Sequence, residues 1–148
     1  MEREKNHEVS SKKGVIFAVF DSYNHILLEL RNENGDKHKG FILVPGGKVK
    51  KGESFSEAVF RELDEELGIC PQKVKKIGEV VTQEGSVTNT RCVFVLQAED
   101  YQGQEVKNRE YRNIYLWASV DKARLVCKHP ITTQVLDMID SLPGGKNR

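Results

Sequence analysis

The 148-residue chain is long enough for one domain with a core that needs no disulfide staples. Its 23 Lys and Arg against 22 Asp and Glu leave a formal charge of +1, which excludes a global basic field for non-specific nucleic-acid binding and an acidic excess of the disordered kind. Cys70, Cys92 and Cys127 form no CxxC pair, and no apolar run nears the roughly 18 residues of a membrane span, so the expectation is a cytoplasmic monomer or homodimer with reduced thiols, off the membrane.

Residues 1–13 are polar and read as an arm, residues 14–142 as a single domain, and residues 143–148 as a tail. GVIFAVF, Gly14 to Phe20, is a continuous β-branched and aromatic run, which predicts a strand covered on both faces. DSYNH then supplies turn chemistry, and HILLELR, His25 to Arg31, is expected as the return strand of a hairpin. After a polar loop, FILVPGG predicts a short strand stopped by Pro45 and a tight turn at Gly46 and Gly47. Ser54 with Glu57 is a capping-box pair, and Phe55 to Leu67 predicts a helix closed by Gly68. VKKIGEVVTQ, RCVFVLQAED and NIYLWASV follow as strands, and Ile131 to Leu142 as a second amphipathic helix. Strands, helix, strands, helix in that order predict a layered α/β domain with a mixed sheet between helices.

The first helix carries the chemistry. Glu62, Glu65 and Glu66 stand at i, i+3 and i+4, on one side of a helix that turns about 100° per residue, next to the apolar stripe Val59, Leu63 and Leu67. Carboxylates crowded beside a buried face raise one another's proton affinity unless a cation neutralises them, and a hard divalent ion takes such oxygen ligands. The plainer reading is a solvated acidic helix with an Arg61 to Glu65 ion pair.

Nine specified positions over 23 residues then come into view: Gly47, Glu53, Arg61, Glu62, Leu63, Glu65, Glu66, Gly68 and Ile69. With this spacing the chain resembles a Nudix hydrolase of the MutT-like kind, and the resemblance implies a Nudix-type α/β/α sandwich. It also implies that Mg²⁺ or Mn²⁺ is held by Glu62, Glu65 and Glu66 with the carbonyl of Gly46, that Glu53 and Arg61 bond each other in support, and that the general base is a carboxylate of this cluster or of a nearby loop, with Glu62, Glu65 and Glu66 all open. Many relatives place a further acidic ligand before a tryptophan strand; Glu110 is the candidate here, ahead of Glu105 and Glu84. Arg31, Lys39, Lys48 and Gly47 are candidates for substrate phosphate contact, and Trp117 for stacking on a base.

The activity implied is hydrolysis of a nucleoside diphosphate linked to a group X, with a nucleotide as the small-molecule partner and no nucleic-acid polymer. Glu84, Gly85 and Ser86 lack the proline and tyrosine seen near this place in relatives that act on ADP-ribose and on dinucleoside polyphosphates. Glu110, Arg112 and Trp117 together look similar to nucleoside triphosphate pyrophosphatases that remove non-standard nucleotides, so a (d)NTP pyrophosphatase is the leading expectation. An ADP-sugar or dinucleoside polyphosphate hydrolase, or a non-catalytic nucleotide sensor, is the alternative.

Overall fold

The computed structural model describes residues 10–143; most of the expected arm (1–9) and of the tail (144–148) lie outside it. Strand β1, Ser10–Val19, starts four residues before the predicted Gly14, because Ser10 to Lys13 pair with Val87 to Thr90 although their side chains are exposed. Beyond them, alternate residues enter two separate cores: Ile16, Ala18 and Phe20 one, Val15, Phe17 and Val19 the other. That two-sided burial is why the run is apolar without alternation.

Strands β2 (Ile26–Leu30), β3 (Ile42–Leu43), β4 (Gly46–Lys48), β5 (Lys75–Glu84), β6 (Val87–Leu96) and β7 (Ile114–Ala118) complete two sheets. The first has the order β4-β1-β6-β5 and is mixed, with β1 parallel to β6 and the other pairs antiparallel. The second, β3-β2-β7, is antiparallel. The predicted hairpin is therefore replaced by a parting of the ways: β1 and β2 share a single bridge, Phe20 with Ile26, and then belong to different sheets. Tyr101, in the 3₁₀ turn Ala98–Tyr101, donates its hydroxyl to the Phe20 carbonyl at 2.8 Å and fastens that point.

Helix α1, Phe55–Glu62, opens with the expected reciprocal Ser54 and Glu57 cap and continues as a π turn, Leu63–Leu67, ended by left-handed Gly68. Ala58, Val59, Leu63 and Leu67 are buried with Phe17 and Leu27. Helices α2 (Val120–Val126) and α3 (Pro130–Asp140) cover the opposite core through Val120, Ala123, Val135, Leu136 and Ile139. The result is the α/β/α sandwich with a mixed sheet. Helix α2 was absent from the sequence expectation, which ran the β7 strand on through Val120; Ser119 instead caps the helix by accepting from the Lys122 amide. No helix among the described residues is long and apolar enough to cross a membrane.

Candidate active site

The predicted tight turn at Gly46 and Gly47 is in fact strand. Both glycines are paired in β4, opposite Ile16 and Val15, and neither has a positive φ. What requires glycine is close approach: a Cβ on Gly46 would lie 2.4 Å from the Val15 carbonyl oxygen, and one on Gly47 would lie 2.3 Å from the Glu62 carboxyl carbon. The bare backbone at 47 thus leaves the room that the Glu62 side chain occupies.

Arg61 joins this strand to the helix. Its Nε and Nη2 donate to the two Glu53 oxygens at 2.7 and 2.9 Å, and Nη2 also donates to the Lys48 carbonyl at 2.8 Å. Nη1 reaches Glu62 at 2.7 Å and Glu65 at 3.1 Å. The brace to Glu53 and the Arg61 to Glu65 pair, set against each other as rival readings of the sequence, therefore coexist. Hydrogen bonds from Arg61, and then from the Lys50 amide, hold the Glu53 carboxyl down to about 2. The charge-assisted fork is the stronger kind of hydrogen bond and fixes the loop over 48–53 to the helix.

The π turn sets the other carboxylates. Its last carbonyls do not go unpaired: Glu66 and Leu67 accept from the amides of Arg109 and Lys107 at 2.9 and 2.8 Å, so the segment over 104–113 closes the helix end. Glu66 is 7% exposed, its Oε1 accepts from the Tyr115 hydroxyl at 3.3 Å, and its Oε2 is buried with no hydrogen-bond partner. Burial first, then the adjacent Glu62 carboxyl, push the Glu66 carboxyl far above the ordinary range. A buried carboxylate oxygen without a donor is costly, and a cation beside it removes that cost. Glu65 faces outward, half-exposed, against Arg61. Among the described residues no three His, Cys, Asp or Glu side chains converge as a finished ligand set. The donors present, the orphaned Glu66 oxygen and the adjacent Glu62 carboxyl, are hard oxygens that suit a divalent cation of the Mg²⁺ kind.

These residues wall a cavity of about 510 Å³. Of the residues expected as substrate or metal contacts, Gly46, Gly47, Lys48, Glu62, Glu66 and Arg31 line it. Arg31 is engaged with Asp36 at 2.7 Å and Glu29 at 3.6 Å. Lys39 lies outside the lining, bonded to Asn34. Glu110 is exposed and paired to Arg112 at 2.8 Å, close enough for its charge to bear on Glu66. Glu84 stands at the far end of β5 and Glu105 is exposed; neither lines the cavity. Trp117, 38% exposed, lies in neither core nor in the lining. His38, His129, Ile131, Thr132 and Val135 also line the cavity, with the two imidazoles edge-to-face at 5.0 Å.

Residues 11–138 match the NUDIX domain family. The chain belongs to the Nudix family. It is 32% identical over 95 residues to an oxidized purine nucleoside triphosphate hydrolase of Danio rerio, covering 64% of this chain and 57% of that protein. It is 35% identical over 90 residues to an ADP-ribose pyrophosphatase of Methanocaldococcus jannaschii, covering 61% and 52%. The chain thus spans little more than half the length of these relatives. The crystal structure of a MutT Nudix hydrolase from Burkholderia pseudomallei superposes with a TM-score of 0.71 at 24% identity, covering 88% of this chain and 98% of that one, and so shares the fold.

Within this Nudix site, sequence reasoning missed Glu29. It is 3% exposed, faces the cavity, and accepts from Asn113 at 3.4 Å, while burial raises its carboxyl above the usual range. The signal was present: a glutamate inside ILLEL has to bury its charge if the strand is covered on both faces. Tyr115, its cross-strand neighbour, was missed for the converse reason, since an aromatic residue in a strand looks like core.

Proposed function

We propose that this Nudix domain hydrolyses a phosphoanhydride of a nucleoside diphosphate linked to X, acting as a (d)NTP pyrophosphatase of the nucleotide-sanitising kind. The observation that carries the reading is the buried, unpartnered oxygen of Glu66 beside Glu62 at the wall of a cavity large enough for a nucleotide. Glu62, Glu65 and Glu66, with the Gly46 carbonyl and Glu110, would hold Mg²⁺ or Mn²⁺. A bound divalent ion neutralises phosphate charge, orients the anhydride and lowers the pKa of water. Glu53 and Arg61 keep the glycine strand and the helix in register, so the cavity wall does not have to assemble around each substrate. Arg31 and Lys48 supply positive charge to the lining, and the imidazole and aliphatic surface at His129, Ile131 and Val135 offers the flat apolar contact a base needs; Trp117 does not stand there.

The Danio rerio relative supports the triphosphate reading. The Methanocaldococcus jannaschii relative favours the second, an ADP-sugar hydrolase on the same site. A panel of dNTPs, 8-oxo-dGTP, ADP-ribose and dinucleoside polyphosphates with Mg²⁺, read by product formation, orders them. Wild-type turnover of at least one, lost in Glu66→Gln, is expected; equal turnover in the variant would sink the metal-site assignment.

A further inference from the structure

The three helix glutamates are hydrogen-bonded in the same lopsided way. Arg61 Nη1 donates to Oε1 of Glu62 at 2.7 Å and to Oε1 of Glu65 at 3.1 Å. The Tyr115 hydroxyl donates to Oε1 of Glu66 at 3.3 Å. In each carboxylate the second oxygen has no protein donor among the described residues, and in Glu66 that oxygen is buried. The cluster therefore offers a cation one oxygen from each side chain, while the other is already held by protein.

Arg61 holds two of the three from within the helix. Tyr115 holds the third from β7, in the second sheet, and its own position is fixed on both sides. Its backbone is paired with Glu29 in β2, and its ring packs against the core that contains Val59, Leu63 and Leu67. Burial, then the charges of Glu66 and Glu29, push the phenol far above its usual range, so the hydroxyl keeps its hydrogen and stays a donor. Glu29, the other carboxyl close to it, is engaged by Asn113 at 3.4 Å and Arg31 at 3.6 Å, which leaves the hydroxyl to Glu66.

The number of oxygens a carboxylate can give separates hard cations. Mg²⁺ is small and demands a near-octahedral shell, which leaves little room for a carboxylate gripped by both oxygens; Ca²⁺ is larger, takes about six to eight oxygens and accepts that grip readily. For Glu66 to give both, it has to release the Tyr115 hydroxyl, which then loses its acceptor in a half-buried place, and a polar group left so is costly.

We propose that Tyr115 is a positioning residue for cation choice: by holding one oxygen of Glu66 it confines that carboxylate to single-oxygen ligation and so favours Mg²⁺ over Ca²⁺. This rests on the reading of Glu66 as a metal ligand, and binding is measured without substrate so that the outcome does not depend on turnover. Mn²⁺ binding is counted by electron paramagnetic resonance at one fixed pH, in wild type, Tyr115→Phe, Tyr101→Phe and Glu66→Gln. Mg²⁺ and Ca²⁺ affinities are taken from their displacement of Mn²⁺. Tyr115→Phe keeps the packed ring and deletes only the hydroxyl. Tyr101→Phe is the matched control, because it also deletes a hydrogen-bonded hydroxyl, the one on the Phe20 carbonyl at 2.8 Å, outside the cavity lining. In Tyr115→Phe the ratio of Mg²⁺ to Ca²⁺ affinity is expected to move at least about fivefold toward Ca²⁺, and in Tyr101→Phe to stay within about twofold of wild type. A change in the proton affinity of Glu66 weakens both cations alike and cancels in the ratio. Mg²⁺ and Ca²⁺ weakened in equal proportion, or both unchanged, overturns the proposal, since the hydroxyl then only supports Glu66. A ratio that moves as far in Tyr101→Phe overturns it as well. Wild type that binds no Mn²⁺, or Glu66→Gln that binds it as tightly as wild type, overturns the metal-site reading and the proposal with it. Mn²⁺ held through Glu66 with an unmoved ratio in Tyr115→Phe overturns the proposal alone.

Discussion

Strand β4 separates two regions of opposite character. On its helix side, Glu66 and Glu29 are buried, Glu62 partly so, and one Glu66 oxygen is unsatisfied. On its outer side, Lys12, Lys37, Lys50 and Lys51 are exposed, crowded only in the sense of sharing a sign. Burial makes the difference in what each can do. Charges in water are screened and cheap to hold, so the lysines can gather without support. The carboxylates cannot stay charged together without a counter-ion, so their arrangement needs the Arg61 brace, the π turn and the closing segment over 107–109.

The comparison breaks first at Glu66. Glu66→Gln removes the carboxylate that a bound cation would share and should lower kcat on the order of a thousandfold, while the unfolding midpoint in EDTA stays level or rises. A midpoint that falls sharply would mean that the carboxylate is structural. Next, Arg61→Lys keeps the charge but loses the fork to Glu53, Glu62 and the Lys48 carbonyl; about 10 to 100-fold weaker Mg²⁺ binding is expected, measured by metal titration of activity. Gly47→Ala places a methyl where Glu62 lies, and either the strand or the glutamate has to shift, costing about 1 to 3 kcal/mol by denaturant unfolding together with activity.

A gentler probe is pH. The folded-state pKa values of Glu66 and Glu29 lie above their unfolded value of 4.5, so the metal-free fold binds these protons more tightly than the unfolded chain does. Their contribution is full below that value and is lost as pH rises through the folded pKa. Thermal unfolding in EDTA should therefore show a declining midpoint from about pH 5 upward that is flattened in Glu66→Gln. The smallest effect expected is at Lys39, which lies off the cavity: Lys39→Ala should leave kcat/KM within about twofold.

Much of this was legible in the residues. The capping box, the stripe at Val59, Leu63 and Leu67, and the doubly covered β1 run follow from local propensity and burial, and each stands as expected. What was not legible depends on partners distant in sequence. Leu63 to Leu67 forms a π turn because Lys107 and Arg109 are there to take its carbonyls. Gly46 and Gly47 look like a turn until β1 is found alongside them, and His25 to Arg31 looks like a hairpin arm until β7 supplies the partner strand. The one-sided charge on the outer side of β4 was hidden for the same reason, since an even total says nothing about how the fold sorts its signs.

Lys48 belongs to both sides of β4 through different parts of itself. Its carbonyl receives Arg61, and every amino acid offers a carbonyl; its exposed side chain is what differs from one amino acid to another. Position 48 is thus a place where an engineer could rewrite what the mouth of the site attracts, to neutral or acidic, and leave the scaffold behind it as it was.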